Sequence, residues 1–165
     1  MVQVLDGRLD GVPEFESLPM LVQPWLALLT ETVTSAELFA IEHIITAVRH
    51  ECDARREVEL AFSWLQQGEA QFALDWFTYM TQDIGRASWH WGQSTVWLNE
   101  HGVAERMCLY QPLMQQVLIQ QQRLTALVER VQGQMARYAQ EWGIALTSVN
   151  EVGERDEDGG TGVAH

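Results

Sequence analysis

Between Gln111 and Trp142, large or apolar side chains recur at alternating steps of four and three. The series runs Tyr110, Met114, Val117, then Leu124, Val128, Val131, Met135, Tyr138 and Trp142, with Gln121 as its polar member. That spacing predicts a long helix with one apolar seam. Pro112 suits a first helical turn, and Gly143 supplies a left-handed stop. Such a helix is roughly 48 Å long. A seam of that length needs partner helices to cover it.

The preceding chain supplies them. Thr34-Ser35-Ala36-Glu37 reads as a capping box, with Val33 and Leu38 placed for a hydrophobic staple. A helix running from there toward Gly68 carries Leu38, Ile41, Ile45, Val48 and Cys52, then Val58, Phe62 and Leu65, as its expected apolar face. Another starts near Glu69 with Phe72, Ala73, Trp76, Phe77 and Met80. It is expected to continue through Gly85 and Gly92 to Asn99 and to close at His101-Gly102, with a short helical connector from Val103 to Leu109. A short helix from Pro24 to Thr32 would bury Trp25, Leu26, Leu28 and Leu29. The predicted fold is therefore all-α: an antiparallel bundle of three long helices plus a short N-terminal one, over residues 18–147. Residues 1–17, with Gly7, Gly11 and Pro13, read as an extended arm. Residues 148–165, acidic and glycine-rich, read as a disordered tail.

Charge narrows the function classes. The 165 residues carry ten arginines, no lysine and a formal net charge of −13. So acidic a chain is poorly suited to gripping phosphates, so no direct nucleic-acid contact is expected. There is no signal-peptide pattern at the N-terminus and no run of about 18 apolar residues, so a cytoplasmic protein without a transmembrane segment is expected. Cys52 and Cys108, both inside helical patterns, read as reduced core thiols, with a single disulfide left open.

Chemistry-bearing motifs are sparse. His43 and His50 share a helix face but lie about 10.5 Å apart along the axis, too far for one ion. His50 with Asp53 could form half of a metal site, and the sequence shows no second half. No HExxH, no paired Glu-x-x-His, no G-x-S-x-G and no phosphate loop occurs. A solvated or hydrogen-bonded histidine is thus the default, and no catalytic residue, metal or cofactor is expected. Trp89-His90-Trp91 stands out, because adjacent helical residues cannot all face inward, so one tryptophan should be exposed or at an interface.

Two segments carry a family resemblance: QFALDWFTYMTQDIGRASWHW, and QPLMQQVLIQQQRLTALVERVQGQMARYAQEW after the break at HGVAERM. Over about residues 71–142 they resemble phasins, helical proteins that coat polyhydroxyalkanoate granules. The resemblance implies a non-enzymatic protein whose helices lay an apolar face on a hydrophobic polymer surface. Candidate interface residues are Val117, Leu124, Val128, Val131, Met135, Tyr138 and Trp142, with Trp89 and Trp91. The expected partner is a protein or a hydrophobic granule surface, with homo-oligomerisation along the seam. The alternative is an acidic helical protein that inhibits or chaperones one macromolecular partner, as phage or plasmid anti-defence and assembly proteins do.

Overall fold

The computed structural model describes residues 18–30 and 33–146, and the expected arm and acidic tail lie outside them. Four α-helices follow one another: α1 (Leu18–Leu26), α2 (Ser35–Gln66), α3 (Ala70–His101) and α4 (Met107–Glu141). Short 3-10 turns at Ala27–Thr30 and Ala104–Arg106 lead into α2 and α4. No strand occurs among the described residues, and α2, α3 and α4 pack as an antiparallel bundle. None of these helices is long and apolar enough to cross a membrane.

Local chemistry explains where the helices begin and end. At the start of α2 the Thr34 side chain accepts from the Glu37 amide, and the Glu37 carboxylate accepts from the Thr34 amide and hydroxyl. Its end is a Schellman motif. Gly68 is left-handed (φ 81°), its amide bonds to Leu65 O, and the Glu69 amide bonds to Trp64 O. The same arrangement ends α4, with Gly143 at φ 67°, its amide on Gln140 O and the Ile144 amide on Ala139 O. α3 runs unbroken through Gly85 and Gly92.

Two boundaries differ from the sequence reading. The first helix starts at Leu18, not Pro24, so Pro24 falls inside it and the chain tightens into a 3-10 turn soon after. Trp25 and Leu28 are buried as expected, but Leu26 and Leu29 are exposed and Leu21 takes their place. α4 starts at Met107 and takes in the last three residues of the expected connector, which places Pro112 at its sixth residue. It spans 35 residues, or about 52 Å.

The core of the hairpin is built from small residues. Ala40, Ala47, Ala54 and Ala61 of α2, and Ala73, Met80, Ala87 and Ser94 of α3, are spaced by seven and shut off from solvent. They sit between two sets of contacts joining the same helices: His50 with Asp83 on one side, Glu51 with Trp91 on the other. They therefore line the middle of the α2–α3 seam, where alanine lets two backbones approach closely. This corrects the expected apolar face of α2 in part, since Ile41, Val48, Val58, Phe62 and Leu65 are buried as expected. Leu38 is 47% exposed, and Ile45 and Cys52 are exposed too, because the buried stripe runs through Glu37, Ala40, Ile44, Ala47, Glu51 and Ala54. Both cysteines are free and exposed thiols, not core ones. Burial, followed by Glu51 and Asp53, pushes the Cys52 thiol above its ordinary pKa.

The second flank of the hairpin is covered by α4 and α1. Gln116, Gln120 and Gln121 of α4 reach all three other helices. Gln116 accepts from Trp25 Nε1 at 3.0 Å and donates to Leu21 O at 3.2 Å. Gln120 donates to Glu51 at 2.6 Å, and Gln121 to Ser88 O at 2.9 Å. Arg106 pins the corner, 2.8 Å from the fully buried Glu37 and donating to Leu28 O at 3.0 Å. Gly102 is required there, because a Cβ would collide with Leu98 O and the Tyr110 ring.

Ala47→Leu is expected to force the hairpin apart and cost about 1–3 kcal/mol, the usual penalty for overpacking a filled site. Ile45→Ala, at an exposed site of α2, should stay within about 0.5 kcal/mol. Urea unfolding followed by circular dichroism reads both.

Candidate functional site

The flank of the hairpin away from α4 carries the titratable groups. His43, His50, Glu57 and Trp64 recur at steps of seven along α2, and Trp76, Asp83, His90 and Trp97 do so along α3. The tight link at Gly68 runs the helices antiparallel, so these rows meet in reverse order across a groove. At one end Phe39 packs on Trp97, with ring centroids 4.8 Å apart. Next, His43 Nδ1 and His90 Nδ1 lie 2.9 Å apart, one donating and the other accepting. The His90 and His50 rings stack at 5.7 Å, and His50 Nδ1 bonds Asp83 Oδ1 at 2.8 Å. Glu57 meets Asp83 beyond that point, and Trp64 packs on Phe72 at the far end.

The electrostatics of this ladder follow from burial and crowding. Burial, then the hydrogen bond and charge of Asp83, push the Glu57 carboxyl up to about 8. Glu57 is therefore a neutral acid near pH 7 that donates to Asp83. Burial alone would raise Asp83, but hydrogen bonds from Glu57, His50 and Arg86 outweigh it and hold Asp83 below the ordinary carboxylate range. Burial lowers His43, with Glu42 in opposition. Burial and the neighbouring His43 and His50 lower His90. One ionised carboxylate thus sits between the neutral Glu57 acid and the Arg86 guanidinium.

A second polar cluster lies inside the bundle. Glu51, at 5% exposure, accepts from Trp91 Nε1 at 2.8 Å and from Gln120 Nε2 at 2.6 Å. It joins α2, α3 and α4 through one carboxylate. Both its oxygens are engaged, and its partners are a packed indole and an amide, so it fixes how the three helices meet.

Comparison with protein-family models, with curated proteins and with solved structures found no match.

The candidate interface residues divide sharply. Val117, Leu124, Val131 and Met135 are buried in the chain's own core, and Val128 packs against it half-buried. Tyr138 meets Phe62 edge-on at 5.6 Å and stacks on Trp142 at 5.3 Å, closing the far end of the bundle. Trp91 is fully buried on Glu51, whereas Trp89 is 57% exposed, edge-on to His43 and His90. Of the nine, Trp89 is the one that stands out into solvent.

The sequence showed His50 with Asp53 as half of a site and set His43 aside as too far along the helix. Asp83 and His90 reach that half from across the hairpin, and Glu57 from farther along α2. The signal that could have found them is positional: His50 lies nearly as far before the Gly68 turn as Asp83 lies after it.

Removing the Glu51 carboxylate by Glu51→Ala strands two buried donors. The expected cost is about 1–3 kcal/mol for each, with Trp91 emission altered, read by thermal unfolding and fluorescence. A pH test isolates Glu57. Because its folded value lies above the ordinary 4.5, it contributes fully below that pH and withdraws the contribution as pH rises toward 8. Glu57→Gln imitates the neutral acid, so its melting temperature should match the parent at pH 4.5 and exceed it by several degrees at pH 8.5, with chelator in both buffers.

Proposed function

We propose that this is a non-enzymatic helical binding protein that lays the aromatic rim of the open α2–α3 groove against a hydrophobic surface, in the manner of the phasins it resembles. The observation that carries the reading is the line of aromatic side chains left in solvent beside that groove. Phe39, Phe72, Tyr79 and Trp89 are each between 45% and 57% exposed, although the bundle buries other large side chains completely. Aromatic rings contribute strongly where a surface is desolvated, and contiguous exposed apolar area marks interaction sites. The 111–142 seam is filled by the chain's own helices, so a coat built from the closed bundle uses the opposite flank. The negative charge fits this role, since coated particles would repel one another and stay dispersed. A cytoplasmic setting, and self-association on the coated surface, belong to the same reading.

The test mixes purified protein with a hydrophobic polymer colloid and follows light scattering and tryptophan emission. Binding should move Trp89 emission to the blue, retain helicity and slow particle aggregation. Trp89→Ala and Phe39→Ser should weaken adsorption by about thirtyfold together, as expected if each anchor is worth on the order of 1 kcal/mol. Adsorption unchanged in the double variant, or none in the parent, would refute the reading. A protein inert until given one basic macromolecular partner would instead be the acidic inhibitor or chaperone.

A further inference from the structure

His50, Asp53 and Asp83 each offer one ligand atom, and the three lie within 4.8 Å of one another. Ligands about 2.1 Å from a tetrahedral ion stand roughly 3.4 Å apart, so closure needs a side-chain adjustment of about an ångström. His50 Nδ1 and Asp83 Oδ1, at 2.8 Å, already meet at one point. Asp53 is exposed, with a loose 3.6 Å pair to Arg56, and is free to swing inward. A second observation points the same way. Glu57, buried and hydrogen-bonded to Asp83, has its Oε2 shut off from solvent with no hydrogen-bond partner, so a cation drawn to Asp83 would give that oxygen a partner too.

We propose that His50, Asp53 and Asp83 form a site for one divalent transition-metal ion of the zinc class, with Glu57 as a buried oxygen donor behind them. One imidazole with carboxylates suits a borderline ion, whereas calcium and magnesium favour all-oxygen sets. The groups fit in charge as well as distance. Two carboxylates and one imidazole balance a divalent ion, and His50 Nδ1, which donates to Asp83 without the ion, would release that proton to solvent on binding. Arg86 opposes the ion, since its guanidinium lies 3.4 Å from Asp83 Oδ1. It is 58% exposed, so it can leave when a stronger cation arrives. An ion here would tie α2 to α3 across the groove. The site stands apart from the coat reading and does not rest on it, and it departs from the expectation of no metal.

The full chain is first stripped with chelator and then titrated with zinc by calorimetry and with cobalt by visible absorption. One ion per chain should bind in the micromolar range, raise the melting temperature and give a ligand-field cobalt spectrum. His50→Gln and Asp53→Asn, checked for intact helicity, should each weaken binding at least about tenfold, in line with losses seen even for supporting residues of metal sites. Arg86→Gln should bind more tightly than the parent, because a competing cation is gone. Affinity unchanged in His50→Gln and Asp53→Asn would place the ion elsewhere, such as the acidic C-terminal stretch, and overturn the assignment. Equal or weaker binding by Arg86→Gln would move it away from Asp83 and do the same. An absence of binding by the parent at millimolar zinc would also end it. None of these results bears on colloid adsorption, so the two readings fail separately.

Discussion

The close approach of α2 and α3 is the constraint on which the other features depend. Alanines at every seventh position of α2, met by Ala73, Ala87 and Ser94 of α3, leave little side-chain volume between the backbones. Burying so few carbons gives a modest hydrophobic gain per residue. It is offset by dense packing along the whole hairpin, where dispersion contacts accumulate. Bulk moves to the flanks. On one flank lie Ile44, Val48, Phe62 and Trp91 of the core, and on the other exposed rings border a half-open ladder in which Asp83 and Glu57 are buried.

The two flanks follow different polar rules. Inside, Glu51 is buried with every oxygen engaged, as a carboxylate must be when water is excluded. Outside, the ladder from His43 to Glu57 is half-open and strained in charge, with one neutral acid, one ionised aspartate and two imidazoles pushed toward neutrality. Perturbed groups brought together by tertiary packing are a general mark of working sites. That is why the groove, and not the interior network, is the place to look for function.

Much of the fold was legible from residue order. The capping box at Thr34, the glycine stops at 68 and 143 and the continuity of α3 all rest on local rules, and local rules suffice for helix ends. The seam of α4 was legible too, because large apolar residues mark it unambiguously. On α2 Ile41, Val48, Val58, Phe62 and Leu65 were placed correctly, but Leu38, Ile45 and Cys52 were not, since they outweigh alanines in any search for bulk. Yet the alanine rows were present at a strict period, and size alone hid them. The site was half legible. His50 and Asp53 share a turn, but Asp83 and His90 are brought in by tertiary register, which no single helix encodes.

The three glutamines of α4 have a consequence for how this helix can move. Gln116, Gln120 and Gln121 grip α1, α2 and α3 within about a turn and a half of one another. Sliding α4 by a single turn, about 5.4 Å, would break every one of those grips together while still leaving apolar residues opposite apolar residues. The greasy seam by itself tolerates such a slip, because its pattern repeats. Each amide meets a different partner, an indole and a carbonyl of α1, a carboxylate of α2 and a carbonyl of α3, so a slipped glutamine meets the wrong one and the set acts as a notch for the bundle's alignment.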